Sequence, residues 1–201
     1  VQAGHGPAVL WSGAWLLRVG ERAGAPVGCV ARVEGVAFSS SSRAGDVAPG
    51  TPQGLFFRDT RFLSGLDVHI NGHRPEVLAA ERTAPVAATF VLRTRPVVGR
   101  ADSSLLLLRY RYVGRGMRED LVVRNYGEDP ALCSFQVRFS ADFANLFAVK
   151  EGRARPDGQL TLETSPYALA FILSKGNSRR GRRIFSIAAA QFDSAPAARS
   201  T

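Results

Sequence analysis

A hydrophobic pattern with a period of two residues constrains the fold of this chain of 201 residues more than any other feature. Between positions 133 and 139, apolar side chains alternate with polar ones, as in an antiparallel strand that buries one face. The apolar positions are Cys133, Phe135, Val137 and Phe139. Further short runs are separated by Gly, Asn and Pro turns about 8–12 residues apart, a spacing typical of a sandwich or barrel. The sequence therefore predicts an all-β antiparallel sandwich.

A second alternating segment, residues 105–113, raises the question of which side chains are buried. Tyr110 and Tyr112 share their face with two leucines of the same run. We therefore assign both tyrosines to the core rather than to a surface on which sugar rings stack. Tyr126, which lies in a later turn, stays a candidate for such stacking.

The chain divides into a central domain and two ends. We expect residues 1–32 to be a lead-in with room for one strand, residues 33–190 to form the β-sandwich, and residues 191–201 to be a disordered tail. The tail is rich in Ala and Ser and has no apolar face. Helical signals are poor, and we expect only short helical turns at 76–82 and 141–147.

The stretch from Gly45 to Gly72 combines a loop, a charged segment and a strand. Glycine and proline punctuate its first part, which is therefore a turn-rich loop. The charged group Arg58-Asp59-Thr60-Arg61 follows. The run Leu66–Ile70 then alternates cleanly and ends in Asn71-Gly72, a strong hairpin signal.

The charged group has two interpretations. Asp59 stands between two arginines and can accept paired hydrogen bonds from a guanidinium, which would fix the loop to its own sheet. Asp and Arg side chains also hydrogen-bond the vicinal hydroxyls of sugars, so contact with a glycan is physically reasonable too. We keep Arg58, Asp59, Thr60 and Arg61 as candidates for glycan binding or for an interdomain contact.

Asp46 and Asp142 are two further carboxylates of interest. A glycosidase needs two carboxylates about 5–10 Å apart, and the sequence alone does not give this separation. Asp142 is also placed to cap the short helical turn that follows it. We therefore keep Asp46 and Asp142 as candidates for glycan binding or an interdomain contact, and we assign no catalytic residue.

The net charge of +9 raises the question of a polyanionic partner. The positive side chains are almost all arginines, and they are spread along the predicted strands except in the run from Arg179 to Arg183. That run could bind RNA or another polyanion. A solvated edge or hairpin explains it as well, so nucleic acid is not the expected partner.

Composition and the reactive side chains exclude several other classes of function. No apolar run reaches the roughly 20 residues of a membrane-spanning helix. Cys29 and Cys133 lie among apolar neighbours, as buried free thiols do, which fits a reducing, cytoplasmic setting. His69 and His73 are expected to be exposed and lack the spacing of zinc ligands. We expect no metal and no cofactor.

Two blocks of residues form a longer pattern. The first consists of Gly45-Asp46, Pro49-Gly50, Gly54-Leu55-Phe56 and Arg58 to Ser64. The second runs from Glu119-Asp120-Leu121 through Asn125-Tyr126-Gly127 to Ala141-Asp142-Phe143-Ala144-Asn145-Leu146-Phe147. Together they resemble the N-terminal domain of bacterial glycogen debranching enzymes of the amylo-alpha-1,6-glucosidase family. The resemblance covers roughly residues 33 to 150 and is poor after Lys175.

This resemblance implies a large two-sheet sandwich of the super-sandwich type. It also implies a non-catalytic domain that docks on a C-terminal catalytic helical toroid, absent from this chain, and helps to bind branched, glycogen-like α-glucan. In that family of glycoside hydrolases, the acid and base carboxylates belong to the toroid. We therefore expect that the chain alone is not catalytic.

Three other interpretations stay open. The chain could be a stand-alone glycoside hydrolase, or a basic interaction module that uses the run from Arg179 to Arg183. It could also be a truncated gene product without an independent function, an interpretation that the poor match after Lys175 and the end at Thr201 suggest.

Overall fold

The computed structural model describes residues 9–11, 15–19, 37–84, 87–96, 103–114, 116–128, 131–165, 168–176 and 178–188. Strands and one short helix follow each other along these segments. The strands are β1 (Val9–Trp11), β2 (Trp15–Val19), β3 (Ala37–Ser40), β4 (Gly54–Phe57), β5 (Thr60–Leu63), β6 (Gly65–Ile70), β7 (Glu76–Ala84), β8 (Ala87–Arg93), β9 (Leu105–Val113), β10 (Met117–Asn125), β11 (Phe135–Ser140), β12 (Gln159–Ser165), β13 (Ala168–Lys175) and β14 (Ser178–Ala188), and the helix α1 is Leu146–Lys150.

Within these segments the strands form three antiparallel sheets. The large sheet has eight strands in the order β12-β13-β14-β2-β10-β9-β8-β7, and two small sheets have the orders β1-β11-β6 and β3-β4-β5. The segment 1–32, which we expected to be a lead-in with room for one strand, contributes β1 to one small sheet and β2 to the large sheet.

The small sheets pack on one face of the large sheet, and the core lies between the layers. Ile70 and Phe135 of the first small sheet share a buried cluster with Phe90 of β8. In a second cluster, Leu63 of the β3-β4-β5 sheet is buried together with Met117 of β10. Two layers of antiparallel strands around an apolar core make a sandwich. The predicted all-β antiparallel sandwich is therefore confirmed.

Strand β9 faces the core with its odd-numbered positions, which include two arginines. Arg109 and Arg111 are 0% and 2% exposed, whereas Tyr112 is 36% exposed and Tyr110 is half-buried. The prediction that both tyrosines belong to the core is wrong. The register explains the reversal, because Arg111 lies directly opposite Glu119 of β10, and a paired charge can be buried where a single charge cannot.

The two expected helical turns have different outcomes. Residues 76–82 belong to β7, an edge strand that pairs with β8, so that prediction is wrong. The segment 141–147 contains the start of α1, whose N-cap is Asn145. The Asn145 side chain accepts a hydrogen bond from the backbone N–H of Phe147 at 2.9 Å. Asp142 therefore does not cap the helix, because the helix begins later than predicted.

Several predictions fall outside the described residues. They concern the disordered tail 191–201, the thiol of Cys29 and the side chains of the run from Arg179 to Arg183, whose backbone belongs to β14. Cys133 is a half-buried free thiol, and burial raises its pKa. Among the described residues, no helix has the length and apolar character needed to cross a membrane.

Candidate functional site

The loop between β3 and β4, which carries Asp46, is seated directly on the large sheet. Gly45 has a φ of +81°, and a Cβ atom at this position would lie 3.0 Å from the Cε2 atom of Phe90 and 3.1 Å from the Cζ atom of Arg109. The backbone passes so close to the sheet that glycine is the residue that fits without displacing a neighbour. This close approach explains the Gly-Asp pair of the sequence pattern.

Two arginines of β9 hold this loop in place. Arg109 donates to the Oδ1 atom of Asp46 at 2.5 Å, and Arg111 donates to the backbone oxygen of Gly45. Both guanidinium groups also contact Glu119. The Nε atom of Arg109 lies 2.6 Å from Oε1, and the Nη2 atom of Arg111 lies 2.7 Å from Oε2. Asp46, Arg109, Arg111 and Glu119 thus form a buried ion cluster in which two positive and two negative charges balance.

Burial and pairing act in opposite directions on the carboxylates of the buried ion cluster. Burial raises the pKa of Asp46 above its ordinary value, and the neighbouring Arg109 opposes this shift without cancelling it. Burial alone would also raise the pKa of Glu119, but Arg109 and Arg111 together hold it below its ordinary value. Glu119 is therefore ionised in neutral solution and cannot serve as a proton donor there.

Arg61 and Asp142 form a second ion pair beside the β3-β4-β5 sheet. The Nη2 atom of Arg61 lies 2.5 Å from the Oδ2 atom of Asp142, and its Nε atom lies 3.2 Å from both carboxylate oxygens. Its Nη1 atom donates to the backbone oxygens of Thr51 and Gln53. Both charged side chains are largely buried, with 2% and 15% exposure. Asp142 thus accepts the hydrogen bonds that the sequence alone suggested for Asp59.

Arg58 and Asp59 form the exposed turn between β4 and β5, which we call the tip. Their φ angles are +46° and +60°, and Phe57 pairs with Thr60 across the turn, as in a two-residue turn of type I′. A positive φ costs an ordinary side chain about 1–2 kcal/mol. The turn at Asn71-Gly72 has φ angles of +52° and +76° but uses the residues that suit this conformation best. The tip therefore carries strain that the other turn avoids.

The backbone of the tip is fixed, while its side chains face solvent. The backbone oxygen of Asp59 accepts a hydrogen bond from the N–H of Leu146 at 2.7 Å. The guanidinium carbon of Arg58 lies 5.6 Å from the centre of the Phe57 ring. Arg58 and Asp59 are both exposed, and so is Phe147, at 64%.

The structure divides the six candidate residues of the sequence into two groups. Three of them take part in internal ion pairs, namely Asp46, Arg61 and Asp142. Arg58 and Asp59 are exposed at the tip, and Thr60 is half-buried at the start of β5. Glycan binding or an interdomain contact by these residues stays a prediction.

Arg109, Arg111 and Phe147 belong to the site but were not among the residues predicted for it. An Arg-x-Arg pair in one strand, with Glu119 eight positions after Arg111 and across a glycine turn, was the available signal for the buried ion cluster. Phe147 appeared only as the last residue of a sequence block, and nothing local indicated that its ring would be exposed.

His69 was expected to be exposed, and this prediction is wrong. Its side chain is buried, with Nδ1 3.4 Å from the Oε1 atom of Gln136 and Nε2 3.4 Å from the Oδ2 atom of Asp67. The reason is that residues on both faces of β6 are buried. His73 is exposed, as predicted. In the part of the chain that the structure describes, no group of three or more His, Cys, Asp or Glu side chains could hold a metal ion.

A comparison with known protein families finds one that matches most of the chain. The model of a family described as the N-terminal domain of (some) glycogen debranching enzymes matches residues 33–199. This chain belongs to that family. The match includes both sequence blocks and continues beyond Lys175, so the family likeness is not confined to residues 33 to 150. No curated protein matches the chain.

In this N-terminal domain of the debranching-enzyme family, the first sequence block contains residues with separate structural roles. Gly45 and Asp46 seat the loop on the large sheet, and Arg61 ties the loop and β5 to Asp142. Arg58 and Asp59 form no ion pair with another residue that the structure describes. They are therefore the charged residues of the block that internal packing explains least.

Proposed function

We propose that this chain is the non-catalytic N-terminal domain of a debranching enzyme of the amylo-alpha-1,6-glucosidase type. The domain docks on the catalytic helical toroid and helps to bind branched α-glucan in the cytoplasm. The observation that carries the proposal is the strained, exposed tip at Arg58 and Asp59. A turn with a purely structural role could use Asn-Gly, as the turn at Asn71-Gly72 of the same chain does.

The chemistry of the tip suits a neutral ligand that is rich in hydroxyl groups. The guanidinium of Arg58 can donate two parallel hydrogen bonds, and the carboxylate of Asp59 can accept several. One cation and one anion give the tip no net charge, in a chain whose net charge is +9. Vicinal hydroxyls of a glucose unit match this set of donors and acceptors.

The ion pair of Arg61 and Asp142 gives the tip the rigidity that binding requires. Arg61 follows the tip by two residues, and its contacts with Asp142 and the β3–β4 loop fix the base of the hairpin. A ligand that binds a fixed group does not have to order it first, so less affinity is lost to entropy.

We assign docking to the outer face of the large sheet, which the small sheets leave uncovered. Val91, Leu108 and Val122 lie side by side on β8, β9 and β10, and all three are only half-buried. Tyr112 lies on the same face, with the guanidinium carbon of Arg118 5.6 Å from its ring centre. Apolar side chains with Tyr and Arg at their border are typical of the surfaces that contact another protein or domain.

The glucan role is tested by measuring binding of the purified chain to glycogen and to a branched limit dextrin, with glucose release assayed in the same tube. We expect binding without release. Replacing Arg58 and Asp59 together by alanine weakens binding by about tenfold or more. The matched control replaces Lys175 and Asp157 together by alanine. These residues form an exposed ion pair elsewhere on the domain, and we expect their replacement to leave binding unchanged. Glucose release would overturn the non-catalytic role, and absence of binding would overturn the glucan role.

The docking role is tested with the catalytic domain of a debranching enzyme of this family from which the N-terminal domain has been removed. We expect the chain to bind this domain and Leu108→Glu to weaken the complex. Leu132→Glu is the matched control, because Leu132 is 99% exposed and lies in the connection between β10 and β11, outside the three strands that carry Val91, Leu108 and Val122. Equal binding by both variants would contradict the assignment of the outer face.

A further inference from the structure

Phe147 is an exposed aromatic side chain that lies beside the tip. Phe147 is 64% exposed, so much of this residue, whose apolar side chain would gain about 2–3 kcal/mol from burial, stays in contact with water. It follows Leu146, whose N–H donates to the backbone oxygen of Asp59 at 2.7 Å. Phe147 is therefore the residue directly after the one whose backbone N–H joins α1 to the tip.

Local contacts fix the position of Phe147. Its N–H donates to the Oδ1 atom of Asn145 at 2.9 Å, and its backbone oxygen accepts a hydrogen bond from Glu151 at 3.0 Å. Val149 of the same helix is buried in one cluster with Phe56 of β4. A helix of this length is unstable by itself, so packing holds it in place, and the helix then presents Phe147 to solvent.

We propose that the ring of Phe147 stacks on a glucose unit of the α-glucan that the tip binds. This inference rests on the proposed function and adds the residue that recognises the face of the sugar. The C–H groups on one face of a pyranose ring pack on an aromatic ring, while the hydroxyls at its edge need polar partners. Phe147 supplies the apolar surface, and Arg58 and Asp59 supply the polar partners at the edge.

The tip adds no net charge to the surface beside Phe147, because Arg58 and Asp59 carry one positive and one negative charge. Lys150, in the last turn of α1, is an exposed cation of the same helix. A neutral, polyhydroxylated chain is a ligand that both the ring of Phe147 and the paired charges of the tip accommodate.

Tyr126, the aromatic side chain that the sequence offers for sugar stacking, supplies the comparison in the same chain, because it follows the end of β10 opposite to Met117, which packs with Leu63 of β5. It is 65% exposed, almost the same fraction as Phe147, and it lies after β10 rather than beside the tip. Its backbone N–H donates to the oxygen of Ser104 at 2.8 Å, so it too is held in a fixed place. An effect that arises only from removing an exposed aromatic ring should appear equally at Tyr126 and Phe147.

The experiment measures the affinity of the chain and its variants for glycogen and for a linear maltooligosaccharide by isothermal titration calorimetry. We expect Phe147→Ala to weaken binding of both probes about tenfold. Phe147→Trp should bind with an affinity within about twofold of the wild type, because its larger ring also offers a stacking surface. Tyr126→Ala binds as the wild type does. The urea midpoint of each variant confirms that it is folded.

The other possible results would overturn either stacking at Phe147 or the proposed function itself. If Phe147→Ala binds normally while the double alanine variant of Arg58 and Asp59 binds weakly, the inference is overturned and the proposed function stands. If Phe147→Trp does not restore binding, or Tyr126→Ala loses as much as Phe147→Ala, stacking at Phe147 is overturned. If the wild-type chain binds neither probe, the proposed function itself fails. Loss of docking to the catalytic domain, with unchanged glucan affinity, would make Phe147 a protein contact and overturn the inference.

Discussion

Arg61 and Asp142 lie 81 positions apart in the sequence, and their side chains meet at a distance of 2.5 Å between Nη2 and Oδ2. The same guanidinium donates to backbone oxygens of Thr51 and Gln53 in the loop before β4. One side chain therefore joins β5, that loop and the segment that leads into α1. The tip stands on this junction, so its rigidity depends on the pair.

The contributions of Arg61 and Asp142 to the free energy of unfolding should depend on each other. We expect Arg61→Met and Asp142→Asn each to lower the free energy of unfolding by about 3 kcal/mol, because each leaves a largely buried charge without its partner. The double variant should lose less than the sum by about 1–3 kcal/mol. Urea unfolding of the four proteins measures this difference. Strictly additive losses would show that the pair is not a unit.

Glu119 should make the domain sensitive to acid. Its pKa in the folded state lies below its ordinary value, so its contribution to stability is present above the unfolded-state pKa of about 4.3 and is lost as the pH falls through the lower folded-state value. Glu119→Gln should cost about 3 kcal/mol at pH 7. The difference in the free energy of unfolding between this variant and the wild type should become smaller below about pH 4, where the wild-type carboxylate takes up a proton.

Urea unfolding at several pH values tests this, with Glu128→Gln, an exposed glutamate, as the control. The control should follow the wild type throughout. A gap between Glu119→Gln and the wild type that stays constant from neutral to acid pH would contradict the assigned role of Glu119.

Leu107 and Leu108 are neighbours in β9 and face opposite sides of the large sheet. Leu107 is fully buried, and Leu108 is half-buried on the outer face. We expect Leu107→Ala to cost about 3 kcal/mol, because it leaves a cavity in the core. Leu108→Ala should cost about 1 kcal/mol or less, because only part of its side chain is removed from water. Equal losses in thermal or urea unfolding would contradict the assignment of the two faces.

Strand β9 also shows which part of the fold the sequence could predict. The alternation of residues 105–113 correctly indicated a strand, because a period of two is a local property. It did not indicate the buried face. The charges of Arg109 and Arg111 are balanced by Glu119 in the next strand and by Asp46 and the loop oxygens 63–66 positions earlier, and these partners become visible only once the chain is folded.

The two type I′ turns show the same limit for the candidate site. Asn71-Gly72 was predictable because these residue types themselves favour a positive φ. The tip was not, because Arg58 has no such preference and adopts its φ of +46° only in the folded domain. The sequence identified the charged group as a candidate site. It could not separate Arg61, which is internal, from Arg58 and Asp59, which are exposed.

The tip should become more stable when it is rebuilt as a favoured turn. Replacing Arg58 by Asn and Asp59 by Gly together should raise the free energy of unfolding by about 1 kcal/mol, because these residues adopt a positive φ at lower cost. Urea unfolding measures the gain. The same substitution removes the two polar groups that we assign to glucan binding, so it separates a structural role from a binding role.

The glycogen affinity of this double variant, measured beside that of the wild-type chain, tests most directly whether the tip holds the glucan. We expect the variant to be at least as stable as the wild type and to bind glycogen about tenfold more weakly or worse. Glycogen binding that is unchanged in the stabilised variant would contradict the claim that the tip holds the glucan.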